Sequence, residues 1–128
     1  MTAKPTWTRD ELPQALKQAL EQAIDKQARA PMILRLTEIL GYTDWVLMLS
    51  GRSERHVRGI VDGILAGLSS QGIRPMASDG VQEGNWALLD FDDFIVHVFY
   101  HPVRNFYDLE SMWSDAPRVE LDLSPEIM

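Results

Sequence analysis

Three aspartates that lie close together in the sequence, Asp90, Asp92 and Asp93, are the residues best suited to metal binding or acid–base catalysis. On a strand, residues 90 and 92 would share a face, as metal-binding carboxylates often do. They separate two apolar segments, WALLDF and FIVHVF, where a hairpin turn favours aspartate, and no phosphate-binding glycine loop lies nearby. We therefore interpret them as turn residues. The alternative is a divergent nucleotide-handling enzyme that uses Asp90 and Asp92 with Ser53.

Two histidines, His97 and His101, have the four-residue spacing that brings two metal ligands together on a helix. The segment FIVHVFY reads as a strand instead, which would separate the two side chains by about 13 Å at about 3.3 Å per residue. We expect His97 to be a structural histidine. Walker, GxGxxG and GxSxG motifs are absent. The sequence therefore predicts a protein that is not an enzyme, with no catalytic residue, no metal site and no cofactor.

The segment around Trp86 predicts a strand with two different faces. Ala87 and Leu89 form a small aliphatic face that suits a core, whereas Trp86, Leu88 and Asp90 lie on the other face. Because aromatic side chains anchor protein interfaces, this face is interpreted as a docking patch. The other interpretation is that Trp86 covers the sheet beneath a loop. The sequence leaves both open.

The elements that position these residues alternate between helix and strand patterns. The apolar periodicity and the capping residues predict a helix at 10–28 capped by Asp10, strands at 32–37 and 44–50 parted by a turn at Gly41, a helix from Ser53 to Gly72, strands at 75–78, 85–91 and 94–100, and a short helix at 104–113. This order is typical of a single α/β domain with a mixed sheet of about five strands flanked by helices.

Two features of the predicted domain concern its packing and its end. Gly59, Gly63 and Gly67 lie four residues apart on the second helix, where each costs about 1 kcal/mol relative to alanine. We expect a neighbouring element to approach closely there. The domain is expected to span residues 1–116, followed by an acidic, proline-containing tail at 117–128 that is loosely held.

Charge and composition limit the partners. The net charge is −7, and residues 76–128 hold Arg104 and Arg118 against 11 acidic residues. An acidic surface repels phosphate, so a basic protein surface is a better partner than nucleic acid, although the acids could also serve solubility alone. The chain has no cysteine, no signal-like N-terminus and no apolar run near the roughly 20 residues of a membrane span. These features predict a cytosolic protein without membrane association.

Three segments together resemble the ribosomal silencing factor family (RsfS, or Iojap). GRSERHV at 51–57 resembles the family's strand-to-helix signature of Gly, Ser and Arg-His-Val. NWALLDFDDFIVHVF at 85–99 resembles its Trp-rich hairpin, and RNFYDLESMW at 104–113 resembles its closing Arg-x-x-Tyr-x-Leu-Glu-x-x-Trp element. The similarity covers residues 12–114. One departure is Asp92, which stands where the family usually has glycine in the hairpin turn.

The resemblance implies a nucleotidyltransferase-like fold without the nucleotidyltransferase active site. It also implies binding to the fourteenth protein of the large ribosomal subunit, which would sterically block the small subunit and repress translation in the bacterial cytoplasm. Trp86, Leu88 and Asp90 are the partner contacts it implies. The other matching signature residues, for which a structural role stays open, are His97, Arg104, Tyr107, Glu110 and Trp113. A homodimer and an adaptor with a non-ribosomal partner remain alternatives.

Overall fold

We describe residues 7–36, 44–123 and 127 of the chain from a computed structural model. The strands are β1 (Trp7–Thr8), β2 (Arg29–Arg35), β3 (Trp45–Gly51), β4 (Ala77–Asp79), β5 (Trp86–Asp90), β6 (Phe94–Tyr100) and β7 (Val119–Glu120). The helices are α1 (Gln14–Asp25), α2 (Glu54–Ser69) and α3 (His101–Tyr107), with 3-10 turns at Arg9–Glu11 and Leu109–Trp113. The turn predicted at Gly41 lies outside the described residues.

The main sheet has five strands in the order β2-β3-β6-β5-β4. The central strands β3 and β6 are parallel, and the other neighbours are antiparallel. Every residue of β3 is buried, as is every residue of β6 except Tyr100, which explains their nearly continuous apolar sequences. The predicted single α/β domain with a mixed five-stranded sheet is confirmed.

One face of the sheet, which we call the helix face, packs against α1 and α2. Its core is entirely apolar and includes Leu20 and Ile64 from the helices and Leu47, Leu89 and Val96 from the strands. The opposite face, which we call the open face, carries a smaller buried cluster. That cluster consists of Leu34, Leu36, Val46, Met48, Phe99 and Ala116. The alternation of side chains along each strand therefore divides the sheet between two different environments.

The two long helices contact each other closely through glycine. A Cβ atom added to Gly63 would lie 2.7 Å from Cγ of Lys26, and one added to Gly67 would lie 2.5 Å from Cγ of Gln22. These distances are too short for real Cβ contacts, so the predicted close approach is confirmed at both positions. Gly59 is different, because a Cβ there would meet nothing within 4 Å.

The start of α1 was predicted wrongly. The helix begins at Gln14 rather than after Asp10, and residues 9–11 form a separate 3-10 turn. A proline disfavours helical backbone in the residue before it, and Leu12 is accordingly extended, with φ −73° and ψ 150°. Glu11 accepts hydrogen bonds from the backbone N–H and the hydroxyl of Thr8, each at 2.9 Å, and these bonds lower the pKa of its carboxyl.

The expectation of a loosely held tail is wrong for residues 117–123. β7 pairs in parallel with β1, and Arg118 forms an antiparallel bridge with Leu34 at the edge of β2. Val119 and Leu121 are buried against the helix-face core. This pairing is a contact between distant parts of the chain, which local composition does not report. The division of the chain at residue 116 remains a prediction.

The chain after β6 turns directly into α3. The predicted helix at 104–113 is instead α3 at 101–107 followed by the 3-10 turn at 109–113, with Asp108 between them at a φ of 45°. Pro102 lies in the first turn of α3, where its missing N–H has no helical partner to lose. This pair of short helices lies over part of the open face.

Candidate protein-binding site

Strand β5 presents its two faces as the sequence predicts. Ala87 and Leu89 are fully buried in the helix-face core. Trp86, Leu88 and Asp90 are half-buried on the open face. The antiparallel register with β6 places Leu88 opposite His97 and Trp86 opposite Phe99. The phase of the strand is therefore confirmed.

Trp86 lies on the open face with its ring held by three other rings. It stacks on Phe99 with ring centroids 5.0 Å apart, and it contacts Tyr107 at 5.1 Å and His97 at 5.9 Å. Its indole N–H donates to Nδ1 of His97 at 2.9 Å. Trp86 is thus a partly exposed residue on the margin of the smaller cluster, where part of its ring remains available for contact.

A shallow groove of about 270 Å³ runs beside Trp86. Its lining is almost wholly apolar and consists of Val46, Trp86, Leu88, Ile95, His97, Leu109, Met112 and Trp113. Three large apolar side chains near the groove are exposed to unusual degrees: Phe106 at 81%, Tyr107 at 56% and Met112 at 72%. Tyr107 joins Phe106 to Trp86, because its ring contacts both. The open face therefore presents a continuous apolar surface.

The sequence pattern did not predict Phe106 and Met112 as surface residues. A signal was present for Phe106, because helical residues are about 100° apart and Phe106 lies about 200° around α3 from Arg104. Arg104 is buried, with 6% exposure, so Phe106 must point away from the protein. Recognising this required knowing that an arginine faces inward, which is contrary to its usual preference.

Arg104 links α3 to two strands and to the following turn. Its Nη1 donates to the backbone carbonyl of Ala30 and to Oγ of Ser50, both at 2.8 Å. Its Nε donates to Oε1 of Glu110 at 3.1 Å in an ion pair. These bonds hold the 3-10 turn that contains Glu110 and Trp113 against the sheet. Four of the five signature residues have defined contacts, namely His97, Arg104, Tyr107 and Glu110. The fifth, Trp113, packs against the smaller cluster.

Asp92 and Asp93 form a turn, as predicted, whereas Asp90 is the last residue of β5. Oδ1 of Asp90 accepts the backbone N–H of Asp92 at 2.8 Å, and Asp92 has a φ of 74°. Ser53 caps α2 by accepting the N–H of His56 at 3.0 Å. Gly51 pairs with Tyr100, whereas Asp90 pairs with Ile95, so the two sites are separated by five residues of β6, roughly 16 Å. The structure does not bring Ser53 together with Asp90 and Asp92.

His97 and His101 lie in different environments. His97 lines the groove beside Trp86, and burial lowers its pKa from 6.5 to about 4, so that it is neutral at pH 7. His101 is exposed at the start of α3 and contacts Asn105.

In the part of the chain that the structure describes, no group of three or more His, Asp or Glu residues is arranged to hold a metal ion. None of the described helices is both long and apolar enough to span a membrane.

These features define a small α/β protein with one sheet face sealed by helices and the other partly open and apolar. A family model described as "Ribosomal silencing factor during starvation" matches residues 9–127. The chain is 35% identical to the ribosomal silencing factor RsfS of Halalkalibacterium halodurans, covering 84% of this chain and 92% of the relative. It is also 35% identical to RsfS of Bacillus subtilis, covering 84% and 91%.

A solved structure has a similar fold. The chain is similar to a crystal structure of a Bacillus halodurans protein, with a TM-score of 0.74 and 33% identity over 83% of this chain and 96% of that one. The chain therefore belongs to the ribosomal silencing factor (RsfS) family. Its relatives carry the names of silencing factors and not of enzymes, which agrees with the separation of Ser53 from the aspartates.

Proposed function

We propose that this protein represses translation by binding the large ribosomal subunit through the open face and blocking the approach of the small subunit. The observation that carries the proposal is the open face itself, where half-buried Trp86 and Leu88 adjoin exposed Phe106, Tyr107 and Met112. Membership of the silencing factor family supports a ribosomal partner. The partner that we propose is the fourteenth protein of the large subunit.

The chemistry of the open face suits a protein partner. Aromatic residues and methionine are enriched at the centres of protein interfaces, and Trp86 offers a large, rigid ring at the edge of a groove. The ring has little conformational freedom to lose on binding, because Phe99, Tyr107 and His97 already hold it. A partner side chain that enters the groove would displace water from an apolar surface.

The charges around this face favour a basic partner. Asp90 borders the apolar surface on β5, and Asp92 and Asp93 are exposed in the turn that follows. All of the excess negative charge of the chain lies in residues 76–128, which include all of these aspartates. An acidic margin would guide the protein towards a basic ribosomal-protein surface and away from exposed ribosomal RNA.

Sedimentation with purified ribosomal particles tests the proposal. We expect the protein to pellet with free large subunits, but not with small subunits or with joined ribosomes, in which the proposed site is covered. Adding the protein before the subunits are mixed should also reduce their joining. Because the contact is partly electrostatic, binding should weaken as salt rises. Equal sedimentation with large subunits and joined ribosomes would contradict the steric mechanism.

A further inference from the structure

Trp86 makes one directional contact on the open face, a hydrogen bond to His97. The indole N–H of Trp86 donates to Nδ1 of His97 at 2.9 Å. His97 is 6% exposed, and its burial keeps the imidazole neutral. Because the indole N–H can only donate, Nδ1 of His97 is the acceptor and the ring proton lies on Nε2. The two side chains project from adjacent strands, β5 and β6.

The ring contacts of Trp86 leave the indole free to flip about its Cβ–Cγ bond. The hydrogen bond to His97 removes this freedom. The ring of Phe99 lies 29° from the plane of Trp86, and that of Tyr107 lies 45° from it. The χ2 torsion of a tryptophan has two broad wells, and a stacking contact can form with either face of the ring. A hydrogen bond requires a nearly linear N–H···N arrangement. The bond to His97 therefore fixes the side of the ring on which the indole N–H edge lies.

We infer that His97 is a positioning residue for docking, which acts by holding the indole of Trp86 in the orientation that a partner meets. This inference rests on the proposed function. Without an acceptor at this position the indole N–H would lose its partner in a half-buried site, and the ring would turn that edge towards water. The apolar surface formed with Leu88 and Met112 would then be interrupted at its centre.

Two substitutions at His97 separate positioning from general packing. His97→Leu fills the site but removes the acceptor. His97→Asn keeps one, because its Oδ1 can take the place of Nδ1. We expect His97→Leu to lower the affinity for large subunits about tenfold, equivalent to about 1.4 kcal/mol. His97→Asn should stay within about twofold of the native affinity, as expected if the acceptor matters.

A second pair of variants tests whether the effect passes through Trp86. Trp86→Phe keeps an aromatic ring but has no N–H to donate. In the Trp86→Phe protein, His97→Leu and His97→Asn should therefore bind with the same affinity. The indole N–H resonance of Trp86, assigned by its loss in Trp86→Phe, should keep its native shift in His97→Asn and move towards the solvent-exposed value in His97→Leu.

The outcomes distinguish this inference from the proposed function. If Trp86→Ala binds large subunits as tightly as the native protein, the proposed docking face is wrong. If Trp86→Ala loses binding while the leucine and asparagine variants at His97 bind alike, only the positioning role is overturned. A difference between them that persists in Trp86→Phe also overturns it. If His97→Leu unfolds at the assay temperature, His97→Asn decides: a shifted indole resonance or an affinity loss beyond twofold refutes the role.

Discussion

The two faces of the main sheet are closed in different ways. The helix face is covered by α1 and α2 over a core that contains only apolar residues. The open face is covered in part by α3, the 3-10 turn and the chain near Ala116. The three buried polar side chains among the described residues, Ser50, His97 and Arg104, belong to this second side. The helix face therefore mainly stabilises the fold, and under the proposed function the open face positions side chains for contact.

Adjacent leucines on β5 offer the sharpest way to break this comparison. Leu89 is fully buried on the helix face, so Leu89→Ala should cost about 2–5 kcal/mol of folding free energy and leave the affinity of the folded fraction unchanged. Leu88 is half-buried beside the groove, so Leu88→Ala should cost less than about 1.5 kcal/mol and lower the large-subunit affinity about tenfold. Denaturant unfolding and sedimentation on both variants measure this. Equal effects on stability would show that the faces do not differ as described.

Lowering the pH should reduce the folding stability of the protein through His97. Burial depresses the pKa of this histidine from 6.5 to about 4. As pH falls below 6.5, the unfolded chain binds a proton that the folded protein does not bind until about pH 4. The folded state should therefore lose about 3 kcal/mol between pH 6.5 and pH 4 through this group alone.

The measurement for His97 is a difference between two proteins, because carboxyl groups titrate in part of the same range. Unfolding free energies of the native protein and His97→Asn are compared from pH 7 to pH 4. The gap between the two curves should change by about 3 kcal/mol in favour of the variant as pH falls. Parallel curves would mean that His97 is accessible to protons in the folded state.

The turn between β5 and β6 should give the smallest effect. Asp92 has a φ of 74°, a conformation that glycine adopts more easily than aspartate. Asp92→Gly, which restores the residue usual in the family, should be neutral or stabilising by up to about 1 kcal/mol. The bond from the N–H of residue 92 to Asp90 does not need the Asp92 side chain and should persist. A loss of more than 1 kcal/mol in thermal unfolding would show that the side chain of Asp92 stabilises the turn.

Local signals in the sequence predicted much of this fold. Strand β6 was predicted at its observed bounds, and Ser53 was predicted as the cap of α2, because apolar periodicity and capping depend on neighbouring residues. The start of α1 was predicted wrongly because Pro13 keeps Leu12 extended, which delays the helix to Gln14. The attachment of residues 117–121 could not be predicted, since it depends on β1 and β2, far away in the chain.

The candidate site was predicted only where it depends on residues that are neighbours in the sequence. The two-residue period of a strand placed Trp86, Leu88 and Asp90 on one face. It could not show that α3 would leave Phe106 exposed, that the 3-10 turn would leave Met112 exposed, or that His97 would accept the indole N–H of Trp86 from the neighbouring strand. These contacts arise from tertiary packing, in which residues distant in sequence meet.

The most direct test of the central claim compares Trp86→Ala with Trp7→Ala. Both tryptophans are half-buried, but Trp7 packs edge-on against Trp45, 5.4 Å away, and is not among the residues that line the groove. Melting temperature and large-subunit affinity are measured for each variant. We predict that both lose moderate stability, less than the roughly 3–5 kcal/mol of a core tryptophan, and that only Trp86→Ala loses at least about thirtyfold in affinity. Loss of binding by both variants in proportion to their unfolded fractions would contradict the claim.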